Sequence, residues 1–186
     1  MEQREDDALN KYHTFWLRFC AGLIDSLVFL PIDWLDDVVR ASVQVPAVLI
    51  VWSILRCTAF WLYNVLLHAR YGQTLGKMVV GVKVLDVNEQ STPTLRQAFL
   101  RDIVYIILNT LGLGYMIYLI VMNQYSVDSH RLTLPLQMLG GAAFGWSLLE
   151  LITMLTNSKR RALHDWIAGT VVVRETRAAG PITTEG

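Results

Sequence analysis

The chain has 186 residues, 53% of them hydrophobic and 17% charged, with a mean hydropathy of +0.38 and no formal net charge. So little charge on so much apolar surface excludes an ordinary soluble domain and points to an integral membrane protein. The even charge balance removes any overall basic signature for nucleic acid.

The opening residues carry Glu2, Glu5, Asp6 and Asp7 against Arg4. They lack the basic start of a cleavable leader, so the first apolar block is expected to persist, and residues 1–14 read as an N-terminal segment outside the bilayer. Four blocks then approach the ~17–25 apolar residues that a hydrocarbon core requires, at 15–32, 45–67, 103–122 and 132–156. Pro31 and Asp33 set the expected outer end of the first. Phe15, Trp16, Trp34, Tyr63, Tyr105 and Tyr125 crowd the block ends, as rings at headgroup level do. Cys20 and Cys57 fall inside these blocks and read as small buried hydrophobes, not as a disulfide.

The connections differ. Residues 33–44 are short and acidic, which suits an exposed outer turn or a short interfacial helix. The connection 68–102 is longer. Its run from Met78 to Val87 is rich in β-branched residues and reads as a strand ended by the Asn88-Glu89-Gln90 turn. Gly169 to Arg174 is a second short strand, expected to pair with the first as a small sheet near Val80 and Val172. Residues 94–102 read as an amphipathic helix entering the third span, and the tail 175–186 as disordered. Thirteen of the sixteen lysines and arginines lie on the side of both termini and the long connection. Arg40 and Arg131 lie on the other side, and Arg56 is inside a span. By this asymmetry both termini are expected to be cytoplasmic, which four spans allow. The fold class is thus an all-α membrane bundle of four transmembrane helices with a small cytoplasmic β element, one membrane domain over 15–174.

Charged groups at bilayer depth cost at least ~2.5–3.5 kcal/mol each and persist when they are paired, wetted or used. Asp25 lies mid-span in the first helix. Arg56, counted from the inner end of the second span, reaches a similar depth, so an Asp25–Arg56 pair is expected. Asn109 and Glu150 form a second polar level nearer the cytoplasm. Arg18 is about 10 Å along the axis from Asp25, and meets Asp102, Glu150 or Asp165 instead. These residues make either a proton or cation pathway or a charge clamp that fixes helix packing.

The remaining motifs are less specific. The turn Gly72, Gly76, Lys77 is one residue short of a phosphate loop, and Met78 stands where a Ser or Thr would hold magnesium, so it reads as a backbone turn bringing Lys77 to lipid headgroups. Gly141 and Gly145 form a G-x-x-x-G that allows close helix packing, within the chain or in a homodimer. His13, His68, His130 and His164 show no ligand spacing, so no metal is assigned. His164-Asp165 reads as a hydrogen-bonded surface corner, and Lys159-Arg160-Arg161 as an anchor to anionic headgroups. No nucleophile, metal set or cofactor loop points to an enzyme, and no cofactor is expected.

Arg18, the Leu-Ile-Asp25-Ser-Leu stretch, the block from Gly72 to Val84, Leu95 to Asp102 and Arg161 to Val173 together resemble the RDD family of bacterial membrane proteins. That family is named for one arginine and two aspartates. Arg18 and Asp25 match the first two, Asp165 the third, with Asp102 as a rival. The resemblance covers about Phe15 to Arg174 and implies a bacterial inner-membrane protein without a settled activity, cation or proton exchange being the family-level suggestion. Two functions follow as expectations. One is proton or small-cation transport, in a homodimer, with Asp25 as the exchanging carboxylate, Arg56 its counter-charge and Glu150 with Asn109 the relay, so that Asp25→Asn abolishes flux. The other is a non-catalytic scaffold or accessory subunit for a membrane partner, its charges fixing packing.

Overall fold

The computed structural model describes residues 10–122 and 134–175. Its elements are α1 (Phe15–Ser42), α2 (Pro46–Tyr71), α3 (Leu75–Val80), β1 (Val82–Asp86), α4 (Leu95–Val121), α5 (Leu134–Thr156), α6 (Leu163–Ala168) and β2 (Thr170–Arg174). The four long helices have 28, 26, 27 and 23 residues and are each apolar enough to cross a membrane. Large apolar side chains such as Leu27, Val51, Leu111 and Phe144 point outward on all four. In water that surface would collapse; against lipid it is the solvated state. Tyr125, His130, Arg131 and the tail 176–186 lie outside the described residues.

Some helix boundaries differ from expectation. Pro31 does not end the first span: α1 continues to Ser42 with Pro31 inside it. A proline removes one intrahelical bond, a loss that membrane helices tolerate when neighbours compensate. The acidic stretch 33–44 is therefore mostly helix. It is stabilised by the Asp36–Arg40 pair one turn apart (2.9 Å). As expected, residues 94–102 lead into the third span, the two forming one helix, α4, started by a Thr94–Gln97 capping box. Met78 to Val80 are the end of α3, and the strand begins only after Gly81.

β1 and β2 pair antiparallel, with Val84 opposite Val172 and Val82 opposite Arg174. One face buries Val82, Val84 and Val172 against Leu17 and Val80. The other buries Val171 and Val173 with Tyr12, and Leu85 packs alongside. The two-stranded sheet expected from the sequence is thus present. Two strands alone are marginal in water; here the start of α1 and residues 10–14 complete the layer. Lys11 offers its carbonyl to Arg174 N–H at 2.9 Å. Glu89 ties the same region together, accepting from Lys11 Nζ (2.6 Å), Tyr12 Oη (2.5 Å) and Lys159 Nζ (3.1 Å). Burial raises the Glu89 carboxyl, but these three donors outweigh it and hold it down at about 2. Lys159, expected at headgroups, spends its ammonium on Glu89. The bundle end that carries the sheet is called the sheet side below, the other the far side.

Candidate functional site

Asp25 fastens α3 to the bundle. The loop after α2 turns at Gly72 (φ +70°) and folds back along α1. Thr74 caps α3, and Gly76 sits so close to α1 that a Cβ there would lie 2.1 Å from the Ala21 carbonyl oxygen. Glycine is required at that approach. The Asp25 carboxylate then receives three donors: Tyr63 Oη at 2.7 Å, Thr74 Oγ1 at 2.6 Å and Gly76 N–H at 2.8 Å. An anion at the start of a helix also suits the orphan N–H groups there.

The expected Asp25–Arg56 pair does not form. Arg56 bonds Asp33 (2.5 Å) and Asp36 (3.3 Å) instead. The reason is helix length. α2 runs on to Tyr71, beyond the expected end at 67, so a count from its true inner end places Tyr63 beside Asp25. Arg56 lies two turns further out, about 10 Å away along the axis. Asp33, Asp36, Arg40 and Arg56 form a far-side network with no net charge. Trp52 Nε1 donates to Asp36 at 2.8 Å, and Arg40 reaches Ser53 at 3.3 Å. Sequence reasoning misses this network because Pro31 reads as a helix end; the one-turn spacing of Asp36 and Arg40 is its signal in the sequence.

Arg18 and Asp165 meet at 2.7 Å, and Asp165 is completely buried. Asp165 also accepts from Arg101, from Ala162 N–H at 3.0 Å and from Thr170 Oγ1 at 3.3 Å. It is a buried junction of α1, α4, α6 and β2, not a surface corner. Burial alone would raise its carboxyl; Arg101 and Arg18 outweigh that and hold it well below the usual carboxylate range. His164 stands beside it. Its Nδ1 is 2.5 Å from Glu150 Oε1 and its Nε2 is 3.2 Å from Arg18 Nη2. The same Nε2 lies 3.4 Å from Asp165 Oδ1, so the ring bridges two carboxylates and an arginine. Glu150 also accepts from Tyr105 Oη at 3.4 Å. Asn109, expected to act with Glu150, donates to the Tyr105 carbonyl of its own helix at 2.7 Å.

Lys77 does not reach for headgroups. It turns inward, and its Nζ lies 2.5 Å from His68 Nε2. Burial first, then repulsion from Arg101 and Arg18, pushes the Lys77 amine down to about 7. Gly141 and Gly145 face open space: no atom of the chain outside their own helix would touch a Cβ at either, so they do not serve packing among the described residues. No three His, Cys, Asp or Glu side chains there converge as a metal site.

Between α1, α2, α4 and α5 lies a cleft of about 820 Å³. Asp25, Tyr63 and Asp102 line its sheet-side end, Asn109 its middle, and Asp33, Arg40 and Arg56 its far-side end. Two lining residues have a buried polar atom with no partner among the described residues, Asp102 Oδ2 and Trp61 Nε1.

A model of the RDD family matches residues 12–169. The chain belongs to the RDD family. It is a multi-pass membrane protein, and the match spans Arg18, Asp25 and Asp165 alike. No curated protein and no solved structure matches the chain.

Proposed function

We propose that this RDD protein provides a polar passage for protons or small cations, and that it is not an enzyme. The observation that supports this most is the cleft with charge at both ends. Arg56 and Asp33 line it with side chains still 40% and 50% exposed. Lipid does not solvate such a pair, so a protein-lined aqueous space is the environment that fits it. Asn109 in the middle and the unpaired Asp102 oxygen continue that space toward the sheet side. The carboxylate that exchanges the ion is Asp102 in this reading. Asp25 is saturated by three donors and holds the loop. The sheet side, which carries most of the lysines and arginines, faces the cytoplasm of a bacterial inner membrane.

The alternative is a scaffold whose charges only fix packing. What favours it is that Arg18, Asp25 and Asp165 are all consumed in fastening elements together. Fasteners are needed under either reading, however, and a wet cleft through the bundle is needed only by a passage. The test is ion flux in proteoliposomes. Wild-type protein should dissipate an imposed proton or sodium gradient, and folded Asp102→Asn protein should do so no faster than empty vesicles. Wild-type vesicles that leak no faster than empty ones would leave the scaffold reading in place.

A further inference from the structure

Lys77, His68 and Asp102 are three ionisable residues that the fastening network does not use. They come from α3, α2 and α4 at the sheet-side end of the bundle, where Lys77 touches His68 and feels the charge of Asp102. His68 is buried, and its Nδ1 lies 2.7 Å from the Asn64 carbonyl. A carbonyl only accepts, so Nδ1 carries the ring proton and Nε2 presents its lone pair to Lys77 Nζ. The lysine therefore donates to the ring whether it is an ammonium or an amine. Its other neighbours are set by the elements around it. Arg18 of α1 and Arg101 of α4 oppose its charge, while Asp102 of α4 and Asp165 of α6 favour it. Asp165 is already held between the two arginines. That leaves Asp102 as the counter-charge for Lys77. Asp102 in turn feels Arg101, Lys77, His164 and the repulsion of Glu150, and its buried Oδ2 has no hydrogen-bond partner among the described residues. A buried carboxylate oxygen normally has one.

We infer that Lys77, His68 and Asp102 form a proton-binding site, in which Lys77 takes up and releases the proton and Asp102 passes it between Lys77 and the cleft. Uptake forms one N–H bond on the Lys77 amine as the O–H bond of protonated Asp102 breaks, and the Asp102 carboxylate regains a proton from hydronium of the cleft, which leaves as water; release runs the two transfers in reverse. His68 stays neutral throughout and orients the amine. The low position of the Lys77 amine, about 7, puts this exchange in the physiological range. The fate of the proton rests on the passage reading; the existence of the site does not, because it can be measured without flux.

The experiment is competitive acetylation of the intact, detergent-solubilised protein with acetic anhydride across pH 5 to 10, read by peptide mass spectrometry. Only the free amine reacts, so the rate at Lys77 traces its titration. The midpoint should fall at about 7. Asp102→Asn should move it lower still, because the lost carboxylate favours the ammonium. A wild-type midpoint within about one unit of the free-lysine value of about 10.4 overturns the site, as does a midpoint that Asp102→Asn leaves in place. Should Asp102→Asn fail to fold, the wild-type midpoint decides alone, with Lys77→Arg assigning the peptide. A low midpoint in protein that moves no ions would keep the site and remove the passage.

Discussion

Asp25→Asn is the substitution on which the two roles of the first family aspartate diverge. The carboxylate accepts from Tyr63, Thr74 and the Gly76 N–H at 2.7, 2.6 and 2.8 Å. A hydrogen bond to a charged group contributes about 1.5–3 kcal/mol, against about 0.5–1.5 kcal/mol for a neutral one. Asparagine keeps one oxygen for two of the donors and loses the charge on both. Its Nδ2 would face Thr74 Oγ1, which already accepts from Lys77 N–H at 3.4 Å, so the third bond must reorganise. Roughly 1 kcal/mol lost at each bond gives roughly 3 kcal/mol in all. The loss should fall on the docking of residues 72–81, not on the four spans. Hydrogen exchange read by mass spectrometry, on protein in lipid nanodiscs, resolves this. At about 1.4 kcal/mol per tenfold, amides of 72–81 should exchange about a hundredfold faster, with the spans little changed. Unaltered exchange at 72–81 would refute the fastening role, and so would a loss spread evenly over all four helices.

Three further outcomes follow from the same geometry. Gly76→Ala should detach the same loop, since a Cβ would stand 2.1 Å from the Ala21 oxygen; protease cleavage within 72–81 should appear in the variant alone. Asp165→Asn leaves Arg18 and Arg101 without their shared anion and should cost about 3–5 kcal/mol, the range for breaking a buried pair, read as loss of the monodisperse species on heating before size-exclusion chromatography. Glu89 titrates at about 2 in the folded chain, below the ordinary value of about 4.3. Its contribution is therefore complete above about pH 4.3 and lost as pH falls toward 2; Glu89→Gln should flatten that part of the acid-stability curve.

The spans and the sheet were legible because each rests on local pattern. Long apolar runs have one stable environment, and the β-branched runs around Val84 and Val172, each led by a glycine, suit strands. Depth places Arg18 at the sheet-side boundary with Asp102, Glu150 or Asp165, and only the fold singles out Asp165. The partners of Asp25 were not legible. They depend on a loop that folds back on α1, and the close contact at Gly76 leaves no mark in sequence beyond a glycine. Depth counting also failed for Arg56, because helices that outrun the bilayer shift the origin of the count by a turn. Lys77 was misplaced for a related reason. A lysine beside a membrane reads as a snorkelling cation, and only the fold shows that α3 turns it toward His68.

The central claim is that water, not lipid, fills the cleft, and Cys57 tests it directly. This thiol lines the cleft, and Cys20, the other cysteine, is removed by Cys20→Ser. A charged, membrane-impermeant maleimide should label Cys57 in reconstituted vesicles much faster than it labels a cysteine introduced at the outward-facing Val51, 56% exposed to the lipid side, in a Cys57→Ser background. Labelling of Cys57 no faster than that lipid-facing control would contradict the claim, and with it the passage.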